Sequence, residues 1–202
     1  MTKILLVRHG ETEFNIQEKI QGWSDSPLTE RGVQDLKRLA EHLEDFSSVY
    51  CSTSFRTVLS AAILCKIKHY AGDVQTVQKL KEINLKPWEG RPIASLSEFD
   101  FPADYVTYKG MPHKFQPVGG ESLQDVQQRT LSAIREIAVR HEDQTILVVG
   151  HGGAISTLVN YFTDNDLRNV WKKDIQPASL TELYFDNGEF IRFGKIGFKP
   201  SL

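Results

Sequence analysis

Short apolar runs alternate along this chain with longer stretches whose apolar residues recur at helical spacing. Lys3–Val7 is such a run; it ends in Arg8-His9-Gly10 and predicts a first strand. Thr29 then precedes Val33, Leu36, Leu39, Ala40 and Leu43, a cap followed by a helical stripe. Val49–Ser52 reads as a second strand, with a helix after it through Val58, Leu59, Ala62 and Ile63, and Val74–Val77 as a third strand. Ser122 caps a helix carrying Leu123, Val126, Thr130, Leu131, Ile134, Ile137 and Ala138 on one face. Thr145–Val149 is an apolar strand, and Gly150-His151-Gly152-Gly153 turns from it into a helix around Ala154–Phe162. A short helix near Leu167–Lys172 precedes a terminal hairpin of Leu180–Phe185 and Phe190–Phe193, joined by Asp186-Asn187-Gly188.

Between Leu85 and Gly120 this pattern lapses. Prolines at 87, 92, 102, 112 and 117, with four aromatics from Phe99 to Tyr108, predict an irregular, cap-like excursion at about 85–120. The rest is strand–helix alternation, which predicts an α/β three-layer sandwich: a largely parallel central sheet with helices on both faces. Residues 1–202 fit one domain.

Open sheets of this kind bind ligands beyond the carboxyl ends of their strands. Two strands here end in a histidine followed by glycine, at His9-Gly10 and at His151-Gly152. The first pair reads as an imidazole on a rigid strand end, with Gly10 leaving its face open and Arg8 offering a planar fork suited to phosphate oxygens. Taken alone, it is equally a structural histidine beside a surface arginine. The second pair also opens like a dinucleotide fingerprint, but Ile155 stands where its third glycine belongs. Arg56 falls in the first turn of the helix after the second strand, at the same sheet edge, where backbone N–H groups add positive potential.

Composition narrows the partners. A formal charge of −2 with no long basic run argues against a nucleic-acid surface, so any anion must meet a local cluster of cations. The longest apolar runs are too short to cross a bilayer, and no signal-peptide pattern opens the chain, so a cytoplasmic location is expected. Two cysteines, Cys51 and Cys65, form no C-x-x-C pair and point neither to zinc nor to a disulfide framework. No metal and no cofactor are expected.

These residues stand in a longer order. Arg8-His9-Gly10-Glu11-Thr12, then Asn15, Gln21-Gly22 and Ser26-Pro27-Leu28-Thr29-Glu30-Arg31-Gly32, resembles the signature of the histidine phosphatase superfamily, branch 1, the phosphoglycerate-mutase-like family. The resemblance continues through Ser52 and Arg56, Leu80-Lys81-Glu82, Trp88-Glu89-Gly90, Gly119-Gly120-Glu121-Ser122 and Gly150-His151-Gly152, nearly the whole chain. Thr57 departs from it, where the family usually carries alanine. The resemblance implies His9 as nucleophile and Glu82 as general acid and base. It implies a phosphate pocket lined by Arg8, Arg56, His151 and Gly152, with Asn15 in contact and Gln21 and Gly22 bordering the substrate.

Physical chemistry agrees. Two guanidiniums and a second imidazole complement a phosphoryl transition state without a metal. An unprotonated imidazole can attack phosphorus at neutral pH, and a carboxylic acid beside a bound dianion can protonate the leaving group. Glu11 and Glu121 read as structural; His42, His69 and His141, on or at the ends of polar helix faces, read as surface residues, and so does His113, which lies in the excursion where it could touch substrate.

The family divides into phosphatases and mutases. Between Gly90 and Gly120 only Arg91, Lys109 and Lys114 are fixed cations, beside Phe99, Phe101, Tyr105, Tyr108 and Phe115. That balance favours a phosphatase acting on a small phosphorylated metabolite with an apolar or sugar-like body. The alternatives are a phosphoglycerate mutase and an inactive phosphate-sensing scaffold. The sequence leaves monomer and homodimer open.

Overall fold

The structure is a computed structural model and describes residues 1–98 and 102–201. Strand β1 (Thr2–Arg8) leads through the one-turn helix α1 (Glu13–Ile16) to α2 (Glu30–Ala40). Strand β2 (Ser48–Ser52), α3 (Phe55–Ile67) and β3 (Val74–Val77) follow. After the excursion, which contains α4 (Pro102–Gly110), come α5 (Leu123–Arg140), β4 (Thr145–Gly150) and α6 (Gly152–Thr163), then the hairpin β5 (Leu180–Asp186) and β6 (Glu189–Phe193).

The six strands form one sheet in the order β3-β2-β4-β1-β5-β6. β3, β2, β4 and β1 run parallel, and the terminal hairpin adds two antiparallel strands at one edge. Its turn places Asn187 at φ 47° and Gly188 at φ 78°, the left-handed pair that a two-residue hairpin loop requires. Strands β1, β2 and β4 bury both faces, while β3 at the edge stays partly exposed. Leu5, Val7, Val49, Cys51, Leu147 and Val149 pack against α2 and α3, while Ile4, Leu6, Tyr50, Ile146 and Val148 pack against α5 and α6. This is the expected three-layer α/β sandwich. Truncating Leu6 or Ile146 to alanine would cost about 2–5 kcal/mol, because neither contacts solvent that could refill the gap.

Caps confirm two helix starts. Thr29 accepts from the Gly32 N–H, and Ser122 forms a reciprocal capping box with Asp125, each worth about 1 kcal/mol. Elsewhere the pattern misleads. In α3 the inward residues are Arg56, Thr57, Ser60, Ala61, Leu64 and Cys65, whereas Ala62 is exposed and Val58, Leu59 and Ile63 are only half-buried. The helix turns polar groups inward because it borders the site described below. Leu43 lies beyond the end of α2 yet remains in the core, and the segment near 167–172 is a single 3-10 turn, Leu167–Asn169.

The excursion is also more regular than expected. It holds α4 and the 3-10 turns Ile93–Glu98 and Pro112–Lys114. Trp88, Tyr108 and Phe115 stack in a cluster with Leu85 and Leu96, which rests on Leu123 and Val126 of α5 and on Ala154 of α6. Prolines break the apolar periodicity in sequence, while aromatic packing supplies a core of its own.

Candidate active site

Strands β1 and β4 are neighbours in parallel register, with Arg8 opposite Gly150. The His9 N–H donates to the Gly150 carbonyl at 3.0 Å, so the two chain ends leave the sheet together. Their imidazoles meet with centroids 5.4 Å apart and planes at 64°, His9 only 2% exposed and His151 fully buried. The His9 Nδ1 lies 2.8 Å from the Gly10 carbonyl oxygen. A carbonyl only accepts, so Nδ1 carries the proton and Nε2 keeps its lone pair. Gly10 serves a different purpose from the one expected. A Cβ there would lie 2.8 Å from Leu36 Cδ1 and 2.9 Å from the Gly32 carbonyl, so glycine is needed for packing against α2 rather than to uncover the imidazole.

Arg56 is fully fixed from below. Its Nη1 donates to the Ser24 carbonyl at 2.8 Å and to Asp25 Oδ1 at 2.6 Å, and its Nη2 to the Gly22 carbonyl at 2.8 Å. Asp25 also accepts the Phe55 N–H at 2.7 Å, so one carboxylate both closes the first turn of α3 and aims the guanidinium. Arg8 donates from Nη1 to the Ile175 carbonyl at 2.5 Å. It lies so close over the turn into α6 that a Cβ on Gly152 would come within 3.0 Å of its Cζ. His151 is held by Ser52 Oγ, 2.8 Å from Nε2. Thr57 is accommodated without disturbance: its hydroxyl donates to the Ser52 and Ser54 carbonyls at 2.8 and 2.7 Å.

Three buried nitrogens in this group have no hydrogen-bond partner among the described residues: Arg8 Nε, Arg56 Nε and His151 Nδ1. Burial, and then the positive charges of Arg56 and Arg8, hold His9 well below the usual histidine range. His151 is lowered by burial first, then by Arg56, His9, Arg8 and Arg129. Both rings are therefore neutral at neutral pH, the state that leaves a nucleophilic nitrogen free.

Glu82 approaches from the segment after the 3-10 turn Gln78–Leu80. Its carboxylate accepts from the N–H groups of Gly153 and Ala154, each at 3.0 Å, and from its neighbour Ile83 at 2.9 Å. A Cβ on Gly153 would lie 2.7 Å from Glu82 Oε1, so this glycine is what lets the carboxylate reach the start of α6. Beside these groups opens a cavity of about 380 Å³. Arg8, Glu82, Gly152 and Gly153 line one part; Tyr108, Lys109, Trp171, Lys173, Asp174 and Ile175 line the rest.

The remaining candidates fall differently. The Asn15 side-chain oxygen accepts from the Thr12 N–H and hydroxyl, both at 3.0 Å, and so closes the turn of α1. Gln21 bridges Thr12 and Ser26 through its amide, and Gly22 turns its carbonyl to Arg56. Glu11 accepts from Thr29, as a turn residue would. Glu121, by contrast, does not act through the helix start: it pairs with Arg129 and accepts the Asn84 N–H. His141 contacts the Tyr50 hydroxyl, and His113 is not part of the cavity lining. Phe99 and Phe101 lie outside the described residues. Sequence reasoning assigns no role to Asp25, Ser52, Trp171, Lys173 or Asp174. Only Ser52 carries a signal, as the last residue of a strand ending at the same edge as His151.

Among the described residues no cluster of three or more His, Cys, Asp or Glu is placed to hold a metal, and no helix is long and apolar enough to cross a membrane. Comparison with known proteins gives consistent relatives. Phosphoserine phosphatase 1 of Hydrogenobacter thermophilus is 31% identical over 188 residues, covering 92% of this chain and 88% of that protein. A Proteus mirabilis protein named "Probable phosphoglycerate mutase GpmB" is 33% identical over 196 residues, covering 96% and 90%. The structure of Bacillus stearothermophilus YhfR superposes with a TM-score of 0.92 at 36% identity, covering 98% of this chain and 97% of that one. Residues 4–193 match the histidine phosphatase superfamily (branch 1) as a family, and with this arrangement of strand-end histidines and arginines the chain belongs to it.

Proposed function

We propose that this protein hydrolyses small-molecule phosphate monoesters, without a metal, through a phosphohistidine on His9. One observation carries the reading: Arg8, Arg56 and His151, all close enough to act on the His9 ring, bury nitrogens with no partner among the described residues, and the Nδ1–Gly10 bond leaves the His9 Nε2 lone pair free. Buried donors without partners are costly unless a ligand satisfies them, and a phosphoryl group supplies the oxygens. The residues take the following roles. His9 Nε2 attacks phosphorus while Arg8, Arg56 and His151 hold the equatorial oxygens. The ester oxygen leaves with a proton from Glu82. Water then attacks the phosphohistidine, giving its proton to Glu82 and releasing phosphate. Asn15 adds a contact through its free amide nitrogen, and Gln21 and Gly22 act through the loop that holds Arg56. The unit is the whole of residues 1–202, with the 85–120 segment as its cap.

The test is a panel of monoesters assayed with a chelator present, alongside His9→Ala. Turnover that survives chelation, an acid-labile phosphoenzyme on the native chain and its absence from the variant are expected; chelator-sensitive activity would overturn the mechanism.

A mutase reading draws on one feature. Lys173, outside the excursion, joins Lys109 on the cavity lining, a second cation that residues 90–120 do not include, with Asp174 beside it offsetting its charge. Incubation with 3-phosphoglycerate decides it: interconversion with 2-phosphoglycerate ahead of phosphate release would favour transfer over hydrolysis.

A further inference from the structure

Glu82 sits on an irregular segment, yet a proton donor must be held to a fraction of an ångström to be effective. What holds it lies on α5. The Arg129 guanidinium donates from Nη1 to the carbonyls of Lys79 and Lys81 at 2.8 and 2.6 Å, and from Nη2 to the carbonyl of Glu82 itself at 2.9 Å. Glu121 grips the same guanidinium in a fork, Nε to Oε1 at 2.8 Å and Nη2 to Oε2 at 2.9 Å. Its Oε2 also accepts the Asn84 N–H at 2.9 Å, two residues beyond Glu82. The Glu82 carbonyl is met by a second donor, Trp23 Nε1 at 2.8 Å, and the Trp23 ring carries Lys81 Nζ 4.0 Å from its centroid. Carbonyls before, at and around Glu82 are thus tied to a single half-buried cation.

We infer that Arg129, braced by Glu121, is a positioning residue that fixes the proton-donating carboxyl group of Glu82 against the start of α6. The inference rests on the reading of Glu82 as general acid. It has a specific kinetic signature. A general acid matters when the leaving group is a poor one, such as an alkoxide, and matters little for p-nitrophenolate, which departs without a proton. A side chain that only stabilises the fold, or only adds positive charge near the phosphate, affects both kinds of ester alike.

The experiment compares glycerol 2-phosphate with p-nitrophenyl phosphate for the native chain, Arg129→Met, Arg129→Lys, Glu121→Gln and Glu82→Gln. The readout is kcat/KM, which reports the phosphorylation step without the later hydrolysis common to both esters: for Arg129→Met it is expected to fall by about 10–100-fold on the alkyl ester and by less than about threefold on the aryl ester. Arg129→Lys, which keeps one donor, is expected to recover part of the alkyl-ester rate, and Glu121→Gln to lose less than Arg129→Met. Equal losses on both esters, or no loss on either, would overturn the positioning role. Glu82→Gln separates the two levels: a uniform loss there removes Glu82 as the acid. A selective loss there, with unselective Arg129 variants, refutes this inference alone. Should Arg129→Met not fold, as judged by its thermal melt, Arg129→Lys and Glu121→Gln carry the same comparison.

Discussion

Two groups of side chains at this site are built on opposite terms. On one side Arg8, His9, Arg56 and His151 are tied to strand ends or to carbonyls of neighbouring loops; three of them bury nitrogens with no partner among the described residues, and of the four Arg8 lines the cavity. On the other side Lys109 and Lys173 are exposed, and neither makes an ion pair among the described residues. Trp171 reaches Tyr108 through one hydrogen bond, Nε1 to carbonyl at 3.0 Å, and Lys109 Nζ lies 5.8 Å from the Trp171 ring centroid. Phosphoryl transfer needs donors already in place when charge moves, because reorganising them would cost the rate they are there to provide. Choosing among substrate bodies needs no such rigidity. Long side chains in water discriminate weakly and adapt.

That contrast ranks the expected effects of change. His9→Ala removes the nucleophile of the proposed mechanism, and kcat should drop by on the order of 10⁴-fold or more, read from phosphate release. Residual turnover within tenfold of native would place the nucleophile elsewhere. Arg56→Met should cost about 10²–10³-fold in kcat/KM on every ester, since the proposed mechanism sets the lost donor on the phosphoryl oxygens common to all of them. A loss confined to one substrate would move Arg56 to the discriminating side.

Acidity gives an intermediate effect. With His9 and His151 both lowered by burial and by the arginines, the fall of kcat/KM in acid should lie below pH ~6.5. The sign for stability is the same. Unfolded histidines take up a proton near pH ~6.5 and the folded ones do not, so stability is complete above that pH. It should be lost as pH falls toward the folded values, by at most about 1.4 kcal/mol per pH unit for each ring. Melting temperatures across that range check it, and saturating vanadate should flatten the slope by making protonation favourable in the folded state too. Lys109→Ala and Lys173→Ala come last. Each should alter KM by about two- to fivefold, with kcat kept, and more for substrates with a second anionic group. A hundredfold change would show that wall to be as closely fitted to its ligand as the other.

How much of this is legible in sequence follows the same division. The strand-end histidines and Arg8 are visible because each sits in a contiguous apolar-run-to-glycine pattern, and neighbouring strands bring such ends together. Arg56 is visible from its place in a first helical turn. The groups that aim them are not. Asp25 lies in a loop with no periodicity, and its value depends on where α3 happens to start. Arg129 looks like any polar position of an amphipathic helix until the Glu82 segment is packed beside it. The inward face of α3 is misjudged for a related reason: Ser60 is buried because its hydroxyl accepts the Gly10 N–H at 3.1 Å, a demand of the site and not of the core. Lys173 and Asp174 come from beyond α6, so counting charges within the excursion does not include them.

The pairing of Arg8 with Gly150 has a consequence for how this molecule comes into being. His9 is made within the first ten residues, but the strand that seats His151 is synthesised only after most of the chain has emerged. Slipping that pairing by one residue would point every side chain of the later strand the wrong way. A compact but misaligned chain would be inert toward phosphate esters. Regain of activity during refolding therefore reports the final alignment of two distant strands, and should trail the collapse seen by tryptophan fluorescence.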